Sequence, residues 1–199
     1  MATAPNQTLI GHGGDDIFQL NSETGVTVSE LGHGTATVLE GLSSYTLPTG
    51  IADLTASGTG AQTLIGNAGN NYIQGNNAND TINGGGGNDT IAVGTGANKI
   101  TGGGTGHDLF VFSSAADHGN VITDFTLGQD ELDLRGLVKS AGYTGTDPVA
   151  DHVLQLVQSG TSTNVIIDPH GAAGGGHIVV TLQHVVASSL TEGHDFIWH

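Results

Sequence analysis

From Leu64 the chain places an apolar residue at every ninth position: Leu64, Ile73, Ile82, Ile91 and Ile100, with Phe110 ten residues further on. A polar residue stands two places ahead of each, namely Gln62, Asn71, Asp80, Asp89, Asn98 and Asp108. A glycine stands two places ahead of most of those, at Gly60, Gly69, Gly87, Gly96 and Gly106. The unit is G-G-x-G-x-D-x-U-x with U apolar, and Gly84–Ala92 fits it at every fixed place. One buried side chain in nine residues cannot close a core alone, so the units must stack on one another as a solenoid. Each unit reads as a tight glycine turn followed by a very short strand. Two units complete a coil of eighteen residues, so alternate turns lie on the same edge. The turn glycines adopt positive φ at little steric cost. Turn carbonyls and a turn carboxylate are hard oxygen donors of the kind calcium prefers.

The block resembles the RTX (repeats-in-toxin) parallel β-roll of secreted metalloproteases, lipases, pore-forming toxins, alginate epimerase R-modules and large bacterial adhesins. Several consecutive units at fixed spacing carry this resemblance, where a single G-x-G-x-D would be weak. It implies an all-β fold: a parallel β-roll with eighteen residues per coil and a C-terminal β-strand cap, holding several Ca2+ ions between successive turns on the same side. It divides the chain into degenerate rungs with one repeat unit (1–56), the regular calcium-binding roll (57–112), and a cap with a type I secretion signal region (113–199).

Sorting the turns by edge sorts the ligands. One edge presents Asn71, Asp89 and Asp108, and the other Gln62, Asp80 and Asn98. A carboxylate neutralises calcium whereas an amide or a carbonyl only coordinates it. The first edge, with the turn glycines Gly87 and Gly106, is therefore expected to bind better. The second has Asp80 as its one carboxylate, and Ala78 replaces a turn glycine there. An alternative stays open. Asn67, Asn70, Asn76, Asn77, Asn79 and Asn88 fill other turn places, and asparagine tolerates left-handed turns and bonds its own backbone. Such turns can close as an asparagine ladder without an ion. Gly102 is an extra residue before the Asp108 unit, and the roll is expected to bulge there and continue.

The flanks carry weaker versions of the pattern. Leu9–Phe18 is another unit, with Gly14, Asp16 and Phe18 in the glycine, carboxylate and apolar places. Asp16 has a candidate ligand partner in Glu30, the alternative being two solvated acids. Between 19 and 56 the period is lost but the β character is not: Val26 and Val28 alternate, as do Ala36 and Val38, punctuated by Gly25, Gly32, Gly34, Gly41 and Gly50. Ser43–Thr55 resembles a degenerate rung that precedes regular units, and the turn at 33–36 lacks aspartate, so no strong site is expected at it. After the repeats, Val121–Thr126 and Gly128–Leu134 resemble the cap of metalloproteases and epimerase R-modules. On that resemblance Phe125 closes the core, and Asp124, Asp130 and Asp133 are candidates for a last calcium site, with a plain polar turn as the alternative. Residues 136–152 read as a loop or short helix, followed by strands near 153–157, 164–168 and 178–182 and closing apolar residues Leu190, Phe196, Ile197 and Trp198. The tail 190–197 resembles the end of type I secretion targets. At Asp168–Gly171 relatives often have an aspartate-rich turn, and His170 removes a carboxylate.

Charge and composition exclude several functions. Nineteen acidic residues against 3 basic ones give a formal net charge of -16, so nothing can neutralise nucleic acid or an anionic membrane. The chain repels itself until cations bind. No apolar stretch reaches membrane length, and the first thirty residues hold no basic segment followed by an apolar run. Joined to the resemblance, this points to a bacterial extracellular module of a larger protein, exported by the type I machinery, either released or attached to the cell surface, and monomeric as a module. The 10 histidines include no H-E-x-x-H or other compact ligand spacing, and G-x-S-x-G is missing, so the chain reads as non-catalytic. Two other readings compete. One is a carbohydrate-binding or substrate-positioning module for a polysaccharide, for which Tyr45, Tyr72 and Tyr143 are the aromatics to test. The other is a structural piece of an adhesin or surface layer.

Overall fold

The computed structural model describes residues 8–20, 26–31, 36–171 and 176–199. Gly25, Gly32, Gly34 and the turn at 33–35 lie outside them. The first strands are β1 (Thr8–Gly11), β2 (Ile17–Leu20), β3 (Thr27–Glu30), β4 (Thr37–Glu40), β5 (Ser44–Thr46) and β6 (Asp53–Ala56). The repeats give β7 (Thr63–Ile65), β8 (Tyr72–Gln74), β9 (Thr81–Asn83), β10 (Thr90–Ala92), β11 (Lys99–Thr101) and β12 (Leu109–Val111). Then follow β13 (Asn120–Ile122), β14 (Glu131–Asp133), the helix α1 (Arg135–Ser140), β15 (Leu154–Ser159), β16 (Ser162–Ile167), β17 (His177–Leu182) and β18 (Phe196–Ile197).

These strands form a parallel β-solenoid. One 8-stranded sheet runs β2, β4, β6, β8, β10, β12, β14, β18, and the other runs β5, β7, β9, β11, β13, β17, β16, β15. A separate pair joins β1 to β3. Each strand of the roll is parallel to the one a coil away, which puts Ile73 beside Ile91 and Leu64 beside Ile82, eighteen residues apart. The strands are so short because the unit allows only one inward side chain. Leu64, Ile73, Ile82, Ile91, Ile100 and Phe110 are each 0% exposed. Past Gly102 the roll continues with a longer coil: Ile91 pairs with Phe110, and Ile100 with Ile122. Phe125 packs on Phe110 with ring centroids 6.1 Å apart and is buried.

One continuous hydrophobic core runs from Phe18 to Phe196, so the three sequence regions share it. Beyond the repeats the topology changes. β17 joins β13 in parallel, but β16 and β15 add antiparallel, ending that sheet in a three-stranded meander. The other sheet is completed by β18 against β14.

Candidate metal-binding turns

The turns on one edge are stitched by their polar residues. The backbone N–H of Asn71 donates to Asp89 Oδ1 (2.8 Å), that of Asp89 to Asp108 Oδ1 (2.9 Å), and that of Asp108 to Asp130 Oδ1 (3.0 Å). Asn71, Asp89, Asp108 and Asp130 therefore form one buried column. Only glycine fits around it. A Cβ on Gly84 would lie 2.2 Å from Asp89 Oδ2 and 2.4 Å from the Gly102 carbonyl, and one on Gly106 would lie 1.6 Å from the Gly87 carbonyl. Asp89 Oδ2 is buried and accepts no hydrogen bond. A carboxylate oxygen without a donor, close to a backbone carbonyl, is costly unless a cation joins them. Burial pushes the Asp89 carboxyl up to about 6 against the N–H of Asn71, with Asp108 adding repulsion. Asp108 is also pushed up to about 6, by burial and by Asp130 and Asp124.

Asp124 and Asp130 meet Asp108 around a cavity of about 180 Å³ that is also lined by the Gly103–Gly106 turn. Asp124 accepts from the N–H groups of Gly102 (3.0 Å) and Gly103 (2.9 Å), and Asp130 Oδ2 accepts from Thr126 N–H (2.8 Å). Burial raises the Asp130 carboxyl. Asp133 does not belong here. Its carboxylate is held by Arg135, Nε to Oδ1 at 3.0 Å and NH2 to Oδ2 at 2.7 Å, which lowers its pKa. Strand β14 places Asp133, expected beside Asp124 and Asp130, on Arg135 instead, three residues past the turn that presents Asp130.

The other edge closes differently. Gln62 N–H donates to Asp80 Oδ1 (2.8 Å), Asp80 N–H to Asn98 Oδ1 (2.7 Å), and Asn98 N–H to Asn120 Oδ1 (3.0 Å). Both Asp80 oxygens have donors, since Oδ2 accepts from Asn76 N–H (2.9 Å). The Asn76 amide faces the carbonyls of Gly58 (3.0 Å) and Gly60 (2.9 Å) and Gln62 Oε1 (2.9 Å). Asn67 does likewise toward the carbonyls of Pro48 (2.8 Å) and Ile51 (2.6 Å), and Asn71 toward Ala52 (3.1 Å). An amide NH2 thus gathers the oxygens that a cation would otherwise gather. These lower turns, on both edges, are joined by amide-to-carbonyl bonds.

Near the N-terminus, Asp16 and Glu30 converge: a Cβ on Gly11 would lie 2.0 Å from Glu30 Oε2 and 2.6 Å from Asp16 Oδ2, and Glu30 Oε2 has no donor. Sequence reasoning passed over Asp117, whose Oδ2 accepts from Ser113 (3.2 Å) and Ser114 (3.1 Å) N–H while Oδ1 is buried without a partner. It lies off the nine-residue register. Its signal was the carboxylate four residues after the start of a turn, as in Asp80 after Asn76. Asp168 Oδ2 is likewise buried without a donor. Among the described residues, no group of 3 or more His, Cys, Asp or Glu side chains is placed to hold a metal by itself. A cation between these turns would draw on backbone carbonyls as well as carboxylates, which is what glycine-only turns expose. The donor set of hard oxygens fits calcium.

The chain is thus a parallel β-roll whose glycine turns stack carboxylates and carbonyls. Residues 57–91 and 84–111 match the RTX calcium-binding nonapeptide repeat, a four-copy unit, and this stretch consists of such repeats. Among solved structures, the AlgE6R3 subunit of the Azotobacter vinelandii mannuronan C5-epimerase is similar at 26% identity, over 70% of this chain and 75% of that one, with a TM-score of 0.33. No curated protein matches the chain.

Proposed function

We propose that this chain is a non-catalytic module that folds onto calcium after type I export of a larger extracellular bacterial protein. The observation that carries the reading is Asp89 Oδ2, buried without a donor beside the carbonyl of the next turn. The ligands assigned are Asp89, Asp108, Asp124 and Asp130 with the turns of Gly87 and Gly106 on the better edge, ending at Asn71. Asp80 and Asn98 form a weaker edge, and Asp16 with Glu30 a separate site. Each ligand set exists only once the coil closes, so binding free energy is folding free energy. Extracellular sites of this kind work at about 10⁻⁴–10⁻³ M calcium, above cytosolic levels. The chain then stays unfolded before export and folds outside as a monomeric module, its C-terminal tail addressing the export machinery.

Circular dichroism and urea melts with calcium and with chelator test this. The expected result is a largely unfolded chain in chelator and a cooperative β-fold in millimolar calcium. A chain that is fully folded in chelator, with the same urea midpoint, would sink the reading.

A further inference from the structure

The chain holds only 3 basic residues, and two of them, Arg135 and Lys139, line one cavity of about 380 Å³. They sit four apart on α1, so one helix face presents both. The facing walls are aromatic and apolar: Tyr143, Pro148 and Trp198, with Val138 on the helix. These walls are fixed before any ligand arrives. Trp198 packs on buried Phe196 with centroids 5.3 Å apart. The Tyr143 hydroxyl donates to Asp151 and accepts from Asp147 N–H (2.9 Å). Arg135 is oriented by its two bonds to Asp133, and its remaining N–H donors are free to turn outward. Lys139 forms no ion pair among the described residues.

We propose that this cavity binds a carboxylate carried on a ring, the carboxylate on Lys139 and Arg135 and the ring face against Tyr143 and Trp198. The chemistry follows from the walls. Cations placed beside aromatic faces select a ligand that is anionic at one end and flat with C–H or π character at the other. The volume lies at the small end of ligand pockets, enough for a single ring or little more. In a chain of formal charge -16, this pocket presents Lys139, which has no ion pair among the described residues, beside an Arg135 already shared with Asp133. At physiological salt the chain's wider negative field is screened within about 8 Å, so the groups at the pocket itself, Lys139 and Arg135 with Asp133 and Asp151, set the charge that a small anion meets. This site uses none of the calcium ligands and stands or falls apart from them.

Trp198 is the only tryptophan of the chain, so its emission reports on this cavity alone. The experiment titrates the full chain in saturating calcium with glucuronate and with benzoate, against their uncharged partners methyl glucoside and benzamide. The two acids distinguish a sugar source from an aromatic one. The expected result is a saturable change in Trp198 emission with at least one acid and none with its neutral partner. Lys139→Gln, on the exposed helix face, should weaken that binding at least about fivefold, while Lys99→Gln on the roll leaves it unchanged. Circular dichroism confirms that both variants fold. No saturable response to either acid, an equal response to the neutral partner, or equal affinity in Lys139→Gln would each overturn the proposal.

Discussion

Asp89→Asn should change sign with calcium. In the wild-type chain Asp89 Oδ1 accepts from Asn71 N–H, and Oδ2 is buried with no donor beside the Gly102 carbonyl. Asparagine keeps the first bond and turns the second oxygen into an NH2 that can donate, as Asn71 already does toward Ala52. Burial raises the Asp89 carboxyl from 3.8 to about 6. At 1.36 kcal/mol per unit this is about 3 kcal/mol against the folded ion-free chain at neutral pH, reduced by solvent screening to about 1–2 kcal/mol. The variant should therefore be more stable than wild type in chelator by about that amount. In calcium the order reverses, because a bound ion at 100 times its Kd contributes about 2.7 kcal/mol and the amide supplies no charge to hold it. The pH dependence follows the same sign. A carboxyl with a raised folded pKa makes the native state bind more protons between about pH 4 and 6, so ion-free stability falls as pH rises through that window. Asp89→Asn flattens the fall. Urea midpoints by circular dichroism at pH 5 and pH 7, with chelator and with millimolar calcium, measure all four corners; an osmolyte brings the chelator arm into range if the chain is mostly unfolded. A variant less stable than wild type in both chelator and calcium refutes the reasoning.

Three further substitutions separate ion from packing. Asn76→Ala leaves the carbonyls of Gly58 and Gly60 and Gln62 Oε1 without their amide, and should cost about 1–3 kcal/mol in urea melts, equally with and without calcium. Ile82→Ala empties a fully buried place in the roll and should cost about 2–5 kcal/mol in urea melts in saturating calcium, and through coupled folding it should weaken the apparent calcium affinity without touching a ligand. Gly106→Ala drives a Cβ to within 1.6 Å of the Gly87 carbonyl, so the two turns must separate; a loss of about 2–3 kcal/mol and weaker calcium binding by calorimetry are expected.

The roll was legible because its period is a packing rule: one inward side chain every nine residues fixes strand length, parallel register and the two edges together. The column Asn71, Asp89, Asp108 followed from counting. What the count did not reveal depends on contacts between different coils. The Asn76 amide meets Gly58 and Gly60, some sixteen to eighteen residues earlier, and nothing in its own unit says whether it faces water or those carbonyls. Asp133 looks like Asp124 and Asp130 in a list of acids, but strand alternation and the following Arg135 turn it away. Asp117 escaped because it obeys a local turn rule rather than the repeat. The antiparallel meander of β15 to β17 was read as strands, but its place at the end of one sheet follows from which edge was left open.

The charges are not spread evenly along the roll, and this says where an ion matters most. Toward the N-terminal side the turns are closed by the amides of Asn67, Asn71 and Asn76. Toward the C-terminal side one edge stacks Asp89, Asp108 and Asp130, with Asp124 against Asp108, and carboxylates a coil apart repel. Asp108 belongs to the last repeat, whereas Asp124 and Asp130 lie beyond it. On the proposed reading an ion in their shared cavity fastens the repeats to the cap, through the same coils that carry β17 on β13 and β18 on β14. Asp124→Asn keeps an acceptor for only one of the two N–H groups, Gly102 to Oδ1 or Gly103 to Oδ2, and removes the charge. In calcium it should raise amide hydrogen exchange in β13, β14 and β17 by tenfold or more, equivalent to about 1.4 kcal/mol of local opening, while β6 to β9 stay as protected as in wild type. A uniform rise along the whole roll would mean that the coils fold as one unit and that this corner is no fastening point.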